Sequence, residues 1–295
     1  MGLSFAAAVL SNSILSGTSL LYATLGELIG ERAGVVNLGL EGIMLTGASV
    51  GFAATFVTGS PYLGVLAAGL AGLGSNLLFG YAVITRSANQ LAAGLAMLFF
   101  GLGASALIGA PYMGADISGL PPLSLLGVDR FDALVWLGAP TALLLWWLLF
   151  RTRWGLALRA VGEDPAVAFA AGRRPGLVRY QALAVGGLLG GIGGAHLSVA
   201  YALTWSEGMT AGRGFIAIAL VIFAGWNPLS AVLGALVFGG AEALQLQLQA
   251  RGADVSPFLM SMVPYLLTLA ALLFWGWQRR SIAPAALGRN FSGVE

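Results

Sequence analysis

The sequence predicts an all-α, polytopic transmembrane helical bundle, and its composition carries that prediction. Hydrophobic residues make up 58% of the 295 residues, whereas charged residues make up only 9%. Soluble domains carry about 25% charged residues, so this composition is typical of a membrane protein. The chain has no cysteine, which excludes a disulfide framework and a thiolate metal site.

Nine stretches are predicted to cross the bilayer, which needs roughly 20 predominantly apolar residues per helix. The predicted spans lie near residues 5–23, 33–57, 62–85, 91–110, 132–150, 178–203, 206–225, 229–249 and 258–277. The seventh crosses only if the polar residues before Phe215 join it. A break inside the second would raise the count to ten, so the expected range is eight to ten.

Arginine placement predicts the topology. Six of the fourteen basic residues fall in residues 151–179, and the positive-inside rule places this loop in the cytoplasm. Counting spans from it puts Arg32, Arg86 and the basic C-terminus on the same side and the N-terminus outside. We expect residues 1–295 to form one transmembrane domain, with residues 151–179 as a cytoplasmic loop within it.

A short helix is predicted in the middle of that loop. Pro165 occupies a helix-start position and Gly172 a helix-stop position. Glu163 and Asp164 near the start favour the positive end of the helix dipole, and Arg173 past the end favours the negative one.

Alanines such as Ala168 and Ala171 keep this short helix narrow enough to enter a groove. Two interpretations stay open: the helix docks on a soluble partner protein, or it belongs to an ordinary solvated loop.

Two glycine-interrupted stretches indicate a candidate inverted repeat. They begin at Gly30 and Gly212 and continue alike, with an early arginine and then an apolar run. The nine-span count puts their openings on opposite sides of the membrane, as an inverted repeat requires, and such interrupted segments point to a transport pathway.

Asn37 and Glu41 are candidate pathway residues, because polar groups at membrane depth are costly unless they pair or line a cavity. They stand four residues apart and are predicted to share one helical face. In one interpretation they hydrogen-bond a polar substrate. In the other, a neighbouring helix end or a buried arginine binds Glu41 and locks the segment.

His196, Trp226 and Asn227 are further pathway candidates. A single histidine without a nearby carboxylate or cysteine does not make a metal site, so His196 is interpreted as a core residue or a pathway residue. Trp226 and Asn227 follow the seventh span, where a tryptophan either anchors at the membrane interface or stacks on a nucleobase.

Asn89 and Gln90 begin the fourth span beside Arg86, so gating or helix capping is expected of them. The sequence contains no lysine and no Walker A loop, and no Ser/His/Asp arrangement can be assembled. No catalytic residue and no metal site are therefore predicted, and any nucleotide-driven step needs another chain.

Four stretches carry a family likeness along the whole chain. They are LGELIGERAGVVNLGLEGIMLTGA from Leu25, ANQLAAGLAM from Ala88, LRAVGEDPAVAFAAG from Leu158, and GRGFIAIALVIFAGWNPLSAVLGALVFGGAEAL from Gly212. With them the sequence resembles the permease subunits of bacterial ABC importers in the superfamily that includes branched-chain amino acid, ribose and nucleoside permeases. It looks most like the nucleoside or simple-sugar branch.

The resemblance implies a set of partners. A second permease subunit would complete the pathway, as a homodimer or a related heterodimer. Cytoplasmic ABC ATPase subunits would bind ATP and Mg, leaving this chain without a cofactor, and an extracytoplasmic binding protein would deliver the substrate. The segment from Glu163 to Gly172 would be the coupling helix. The chain would lie in the lipid bilayer of the bacterial cytoplasmic (inner) membrane as a multi-pass protein, with no nucleic acid partner.

The implied function is ATP-driven import of nucleosides or purine-like molecules without covalent chemistry in this chain. The alternatives are a simple-sugar (pentose) permease, then a branched-chain amino acid permease. A third is an ion-coupled secondary transporter, which would use intramembrane carboxylates such as Glu41 and Glu242.

Overall fold

The computed structural model describes residues 2–125, 127, 129–250, 262–263, 266, 269–270 and 283–290, and its regular structure there is helical. The helices are α1 (Gly2–Arg32), α2 (Leu40–Thr58), α3 (Pro61–Gly80), α4 (Gln90–Gly109), α5 (Ala133–Arg151), α6 (Arg153–Glu163), α7 (Pro165–Ala170), α8 (Pro175–Ala195), α9 (Arg213–Phe223) and α10 (Pro228–Ala250). The predicted ninth span, residues 258–277, lies mostly outside the described residues.

Seven of these helices are long and apolar enough to cross a membrane: α1 to α5, α8 and α10. Three gain length from an added turn, since the spans they form run over Pro61–Thr85, Gln90–Tyr112 and Pro175–Tyr201. The prediction of an all-α polytopic bundle is confirmed for the described part of the chain.

The long helices pack through glycines, and these contacts fix their directions. On α1, Gly26 lies against Gly186 of α8, and Ser19 lies against Gly193. The α8 number rises as the α1 number falls, so α8 runs antiparallel to α1. By the same comparison α10 is antiparallel to α1, whereas α2 is parallel to α8. The bundle therefore has an arginine-rich end, which carries Arg32, Arg86 and α6, and an opposite end.

The second predicted span is broken. Residues 33–39 are not helical, and α2 begins only at Leu40. Asn37 therefore lies outside the helix, and the prediction that Asn37 and Glu41 share one helical face is wrong. The physical reason is that Asn37 Oδ1 accepts a hydrogen bond from Gly39 N at 2.8 Å. This bond stabilises a local turn that competes with the helix.

The seventh predicted span, residues 206–225, is also not one spanning helix. Its helical part, α9, has 11 residues and is about 17 Å long, too short to cross alone. The backbone enters and leaves α9 through left-handed residues. They are Ala211 (φ 47°) and Gly212 (83°) before it, and Gly225 (60°) and Trp226 (53°) after it.

The two helices that follow these breaks, α2 and α9, are called the interrupted helices. They run in opposite directions, and their N-termini meet. Arg213 at the start of α9 hydrogen-bonds Ser16 and Ser19, midway along α1. Beyond the end of α9, the carbonyl of Trp226 accepts from Arg32, at the end of α1. Thus α9 runs parallel to α1 and opposite to α2, and the inverted repeat stays a prediction.

Residues 283–290 lie at the arginine-rich end. Ala286 N donates to Gly162 O at 2.9 Å, and Gly288 N donates to Gly34 O at 3.1 Å. The Asn290 amide donates to the Ser87 carbonyl at 2.8 Å. This segment therefore lies on the same side as residues 151–179, where the span count places the C-terminus.

Close helix packing makes Gly194 of α8 sensitive to substitution. A Cβ atom there would overlap the carbonyl group of Met44 and lie 3.0 Å from Ala48 N, both of them backbone. We expect Gly194→Ala to destabilise the folded protein by about 1–3 kcal/mol, the usual cost of overpacking. Thermal unfolding of the purified protein in detergent measures this as a lower Tm.

Gly74 of α3 is the matched control, because a Cβ there meets no atom within 4 Å. Gly74→Ala should leave Tm unchanged or raise it, since alanine favours a helix over glycine by roughly 0.5–1 kcal/mol. Equal Tm values for the two variants would contradict the packing described here.

Candidate functional site

Glu41 joins the two interrupted helices. Its Oε1 atom accepts hydrogen bonds from the Thr210 hydroxyl at 2.6 Å and from Gly212 N at 2.7 Å, and Oε2 accepts from Gly214 N at 2.6 Å. A carboxylate at a helix N-terminus also interacts favourably with the helix dipole. A Cβ atom on Gly214 would lie 2.5 Å from backbone atoms of Glu41, so the approach requires glycine.

This geometry is the one expected if a helix end binds Glu41 and locks the segment. A role of Glu41 in contacting substrate stays a prediction. Sequence reasoning missed Thr210, because nothing local connects it with a residue 169 positions earlier.

Asn37 stabilises the break before α2. Its backbone N donates to Glu27 Oε1 at 2.8 Å, and its side-chain amide donates to Asn76 Oδ1 at 2.9 Å. Asn76 in turn donates to the Leu183 carbonyl at 2.7 Å. These contacts join α1, α3 and α8 around a residue that is buried, and any contact of Asn37 with substrate remains a prediction.

Arg213 and Glu242 form an ion pair midway along α1. The guanidinium of Arg213 also donates to the Ser16 carbonyl at 3.1 Å and to the Ser19 hydroxyl at 3.0 Å, and the Ser16 hydroxyl donates to Glu242. Arg213 was not among the predicted site residues. The sequence does carry a signal for Arg213. It directly precedes the apolar residues of α9, and a charged residue at membrane depth is a functional candidate.

Trp226 is buried rather than interfacial. Its ring nitrogen donates to Glu31 Oε2 at 2.6 Å, and 7% of its surface is exposed. The expectation of an interfacial anchor is therefore wrong, because α1 extends to Arg32 and presents a buried acceptor. Sequence reasoning also missed Glu27 and Glu31. The first predicted span ends at residue 23, whereas α1 continues to Arg32 and includes both acids.

His196 has a carboxylate neighbour, contrary to the sequence interpretation. Its Nε2 atom lies 3.6 Å from Asp132 Oδ2, and both side chains are buried. Asp132 caps α5 by accepting from the backbone N atoms of Leu134 and Val135. No group of three His, Cys, Asp or Glu side chains suited to a metal ion occurs among the described residues.

The other predicted polar residues lie at helix ends. Asn89 caps α4, where its Oδ1 accepts from Ala92 N at 3.0 Å. Gln90 is buried and its side chain accepts from Val36 N at 2.9 Å, which ties α4 to the break before α2. The Oδ1 atom of Asn227 accepts from Leu229 N at the start of α10.

The short helix α7 lies at the arginine-rich end with both termini capped. Asp164 Oδ1 accepts from Ala166 N at 2.9 Å and Val167 N at 3.0 Å, and Pro165 is the first helical residue. At the other end Gly172 adopts φ 79°, which glycine accommodates without strain.

The remaining α7 residues divide between core and surface. Ala168 is buried and its carbonyl accepts from Arg173 N, while Ala171 is exposed. Glu163 accepts from Ala285 N at 3.3 Å. The structure thus brings together the predicted residues of α7 at one end of the bundle and Glu41 with the start of α9 in its middle. Gln90 also lies at that end, where its side-chain amide donates to Asn290 Oδ1 at 3.3 Å, and Asn227 lies at the start of α10.

Curated relatives match nearly the whole chain. A putative glucose ABC transporter permease of Haloferax volcanii is 35% identical, covering 98% of this chain and 99% of its own length. A guanosine ABC transporter permease of Bacillus subtilis is 34% identical over 94% and 95%. A nucleoside ABC transporter permease of Lactococcus lactis is 33% identical over 96% of each. No solved structure gives a significant match.

The sequence profile of one permease family matches residues 9–272, and its description is branched-chain amino acid transport system / permease component. Three full-length relatives that carry the name of ABC transporter permeases agree with it, as do seven helices long enough to span a membrane. The chain belongs to this family of ABC transporter permeases, and is a multi-pass transport component of the cytoplasmic (inner) membrane.

Proposed function

We propose that this chain is the transmembrane subunit of an ATP-driven importer for nucleosides or purine-like molecules. An extracytoplasmic binding protein delivers the substrate, and a second permease subunit, identical or related, completes the pathway. Two of the relatives described above are named for guanosine and for nucleosides. The polar groups that meet midway along α1 suit a neutral substrate rich in hydrogen-bonding groups.

A simple sugar is the alternative substrate. The relative named for glucose is 35% identical, as similar to this chain as the nucleoside permeases are. An ion-coupled carrier has less support, because each of the two carboxylates it would use already interacts with a positive charge or a positive helix end. Glu41 binds the start of α9, and Glu242 pairs with Arg213.

The observation that carries the coupling role is the exposed apolar surface of α7. Val167 is 64% exposed although it lies on a helix capped at both ends. A six-residue helix is too short to be stable by itself, so its caps and its packing keep this surface presented. We assign the surface to a cytoplasmic ABC ATPase subunit that binds ATP and Mg.

The first prediction from this proposed function concerns Val167. We expect Val167→Asp to lower substrate-stimulated ATP hydrolysis by the reconstituted complex at least about tenfold, because a buried valine contributes roughly 1.5–3 kcal/mol to a contact. Hydrolysis is measured with the ATPase and binding protein present. The change should leave Tm of the isolated permease within a degree or two, since the side chain is exposed. Val167→Asp with unchanged stimulation would contradict the docking role.

The second prediction separates the cap of α7 from its charge. Asp164→Asn keeps a capping oxygen, whereas Asp164→Ala removes it at a cost of about 1 kcal/mol. We expect stimulated ATP hydrolysis to fall about fivefold in Asp164→Ala and to stay near the normal rate in Asp164→Asn. Equal losses in both variants would assign the effect to the charge and contradict a role of the cap.

The third prediction concerns the substrate. ATP hydrolysis by the unmodified complex should be stimulated by guanosine and adenosine more strongly than by ribose, and not by leucine. The panel is measured with the same reconstituted complex at saturating ligand. Stimulation by ribose alone would identify a simple sugar as the substrate instead of a nucleoside. Uptake without ATP would contradict the proposal of an ATP-driven importer.

A further inference from the structure

The ion pair midway along α1 belongs to a larger polar cluster, which consists of Ser16, Tyr201, Arg213 and Glu242. The guanidinium carbon of Arg213 lies 6.0 Å from the centre of the Tyr201 ring. Glu242 accepts from Arg213 through Oε1 and from Ser16 through Oε2. Three helices and the end of the α8 span therefore contribute to one polar group inside an apolar bundle.

The two charges in this cluster are not buried equally. The Arg213 side chain is 10% exposed and the Glu242 side chain is 30% exposed. A carboxylate has about four acceptor positions, and the donors from Ser16 and Arg213 occupy one on each oxygen. Glu242 therefore keeps acceptor capacity on its exposed side, while Arg213 faces the interior and fixes the carboxylate.

The polar character continues along α10 toward the end opposite the arginine-rich one. Gln245 and Gln249 follow Glu242 by three and seven residues, the spacing that places side chains on one helical face. Gln245 is half-buried and Gln249 is exposed. Carboxylate and amide groups on one face of a spanning helix are costly against lipid, so this glutamine face, Gln245 and Gln249, requires polar surroundings.

We propose that the polar cluster and the glutamine face bind the vicinal diol of a ribose ring during translocation. Two adjacent hydroxyls donate to the open positions of the Glu242 carboxylate, which is how acidic residues hold ribose hydroxyls elsewhere. The Tyr201 ring supplies an apolar surface for the sugar or base, and the glutamine amides donate to and accept from the remaining polar atoms.

The chemistry of the cluster also selects against other substrates. A 2′-deoxyribose lacks one of the two hydroxyls and leaves an acceptor position of Glu242 unused. The proposal rests on the proposed import of nucleosides or pentoses, and both substrates carry the same diol.

The test uses the complete transporter in proteoliposomes, with its ATPase and binding protein, and measures uptake of radiolabelled adenosine, 2′-deoxyadenosine and ribose. The quantity compared is the ratio of adenosine to 2′-deoxyadenosine uptake. The ratio measured for each variant is divided by the ratio measured for the unmodified protein with the same binding protein. The substrate preference of the binding protein then cancels. Adenosine uptake without ribose uptake identifies the nucleoside as the source of the diol, and the reverse identifies the sugar.

Three variants decide the outcome. Glu242→Gln should lower the ratio at least about tenfold, because hydrogen bonds to a charged group contribute most. Gln245→Ala should lower adenosine uptake about threefold through the loss of one neutral hydrogen bond. Gln247→Ala is the matched control, since this residue lies on the same helix but five residues from Glu242, away from the glutamine face. It should leave both uptake and the ratio unchanged.

Failure of this proposal is distinguishable from failure of the proposed function. If the unmodified complex imports ribosides but neither Glu242→Gln nor Gln245→Ala differs from Gln247→Ala, the diol site is overturned and import stands. If the unmodified complex imports neither adenosine nor ribose, import of these substrates itself fails. If Glu242→Gln does not fold, the comparison of adenosine uptake by Gln245→Ala with that by Gln247→Ala decides whether the diol site stands. Loss of permease pairing in Gln245→Ala on size-exclusion chromatography would assign the glutamine face to a subunit interface instead.

Discussion

The hydrogen bonds from the start of α9 to the Glu41 carboxylate hold the middle of this bundle together. Two backbone N–H groups and one hydroxyl point at the two oxygens, and the positive end of the helix dipole faces them. Removing the carboxylate would leave those buried donors without an acceptor, each at a cost of about 1–3 kcal/mol. Because α9 is too short to cross the membrane alone, its depth depends on this contact.

Three acids of the interior have partners that are far away in sequence. Glu31 accepts from Trp226, Glu242 pairs with Arg213, and Glu41 binds the start of α9. Buried ion pairs are weak evidence for stability, because desolvation offsets the attraction between the charges. These groups therefore define how the interrupted helices meet more than they add to the free energy of unfolding.

The sequence predicted those features that depend on neighbouring residues. The limits of α7 follow from Asp164, Pro165 and Gly172, which act within one or two turns, and the cap of α4 follows from Asn89 in the same way. The helical bundle follows from hydropathy, and the sidedness of its ends stays a prediction from arginine placement.

The remaining features depend on residues that are distant in sequence. Asn37 was placed in a helix, because the apolar pattern around it does not show the turn that its own side chain stabilises. Asp132 and His196 are 64 positions apart, so their contact has no local signal. Glu27 and Glu31 look like the polar end of a span until their buried partners, Asn37 N and the Trp226 ring, are known.

Residues 283–290 connect parts of the arginine-rich end that the chain order separates. Backbone hydrogen bonds join this segment to Gly162 at the end of α6 and to Gly34 at the break before α2, and Arg179 of α8 donates to the carbonyls of Ala33 and Arg289. The break before α2 is therefore joined by backbone hydrogen bonds, through residues 283–290, to the end of α6, the helix that precedes α7. The distance between the end of α6 and the break before α2 is thus set by residues 283–290, although these lie far from both in the sequence.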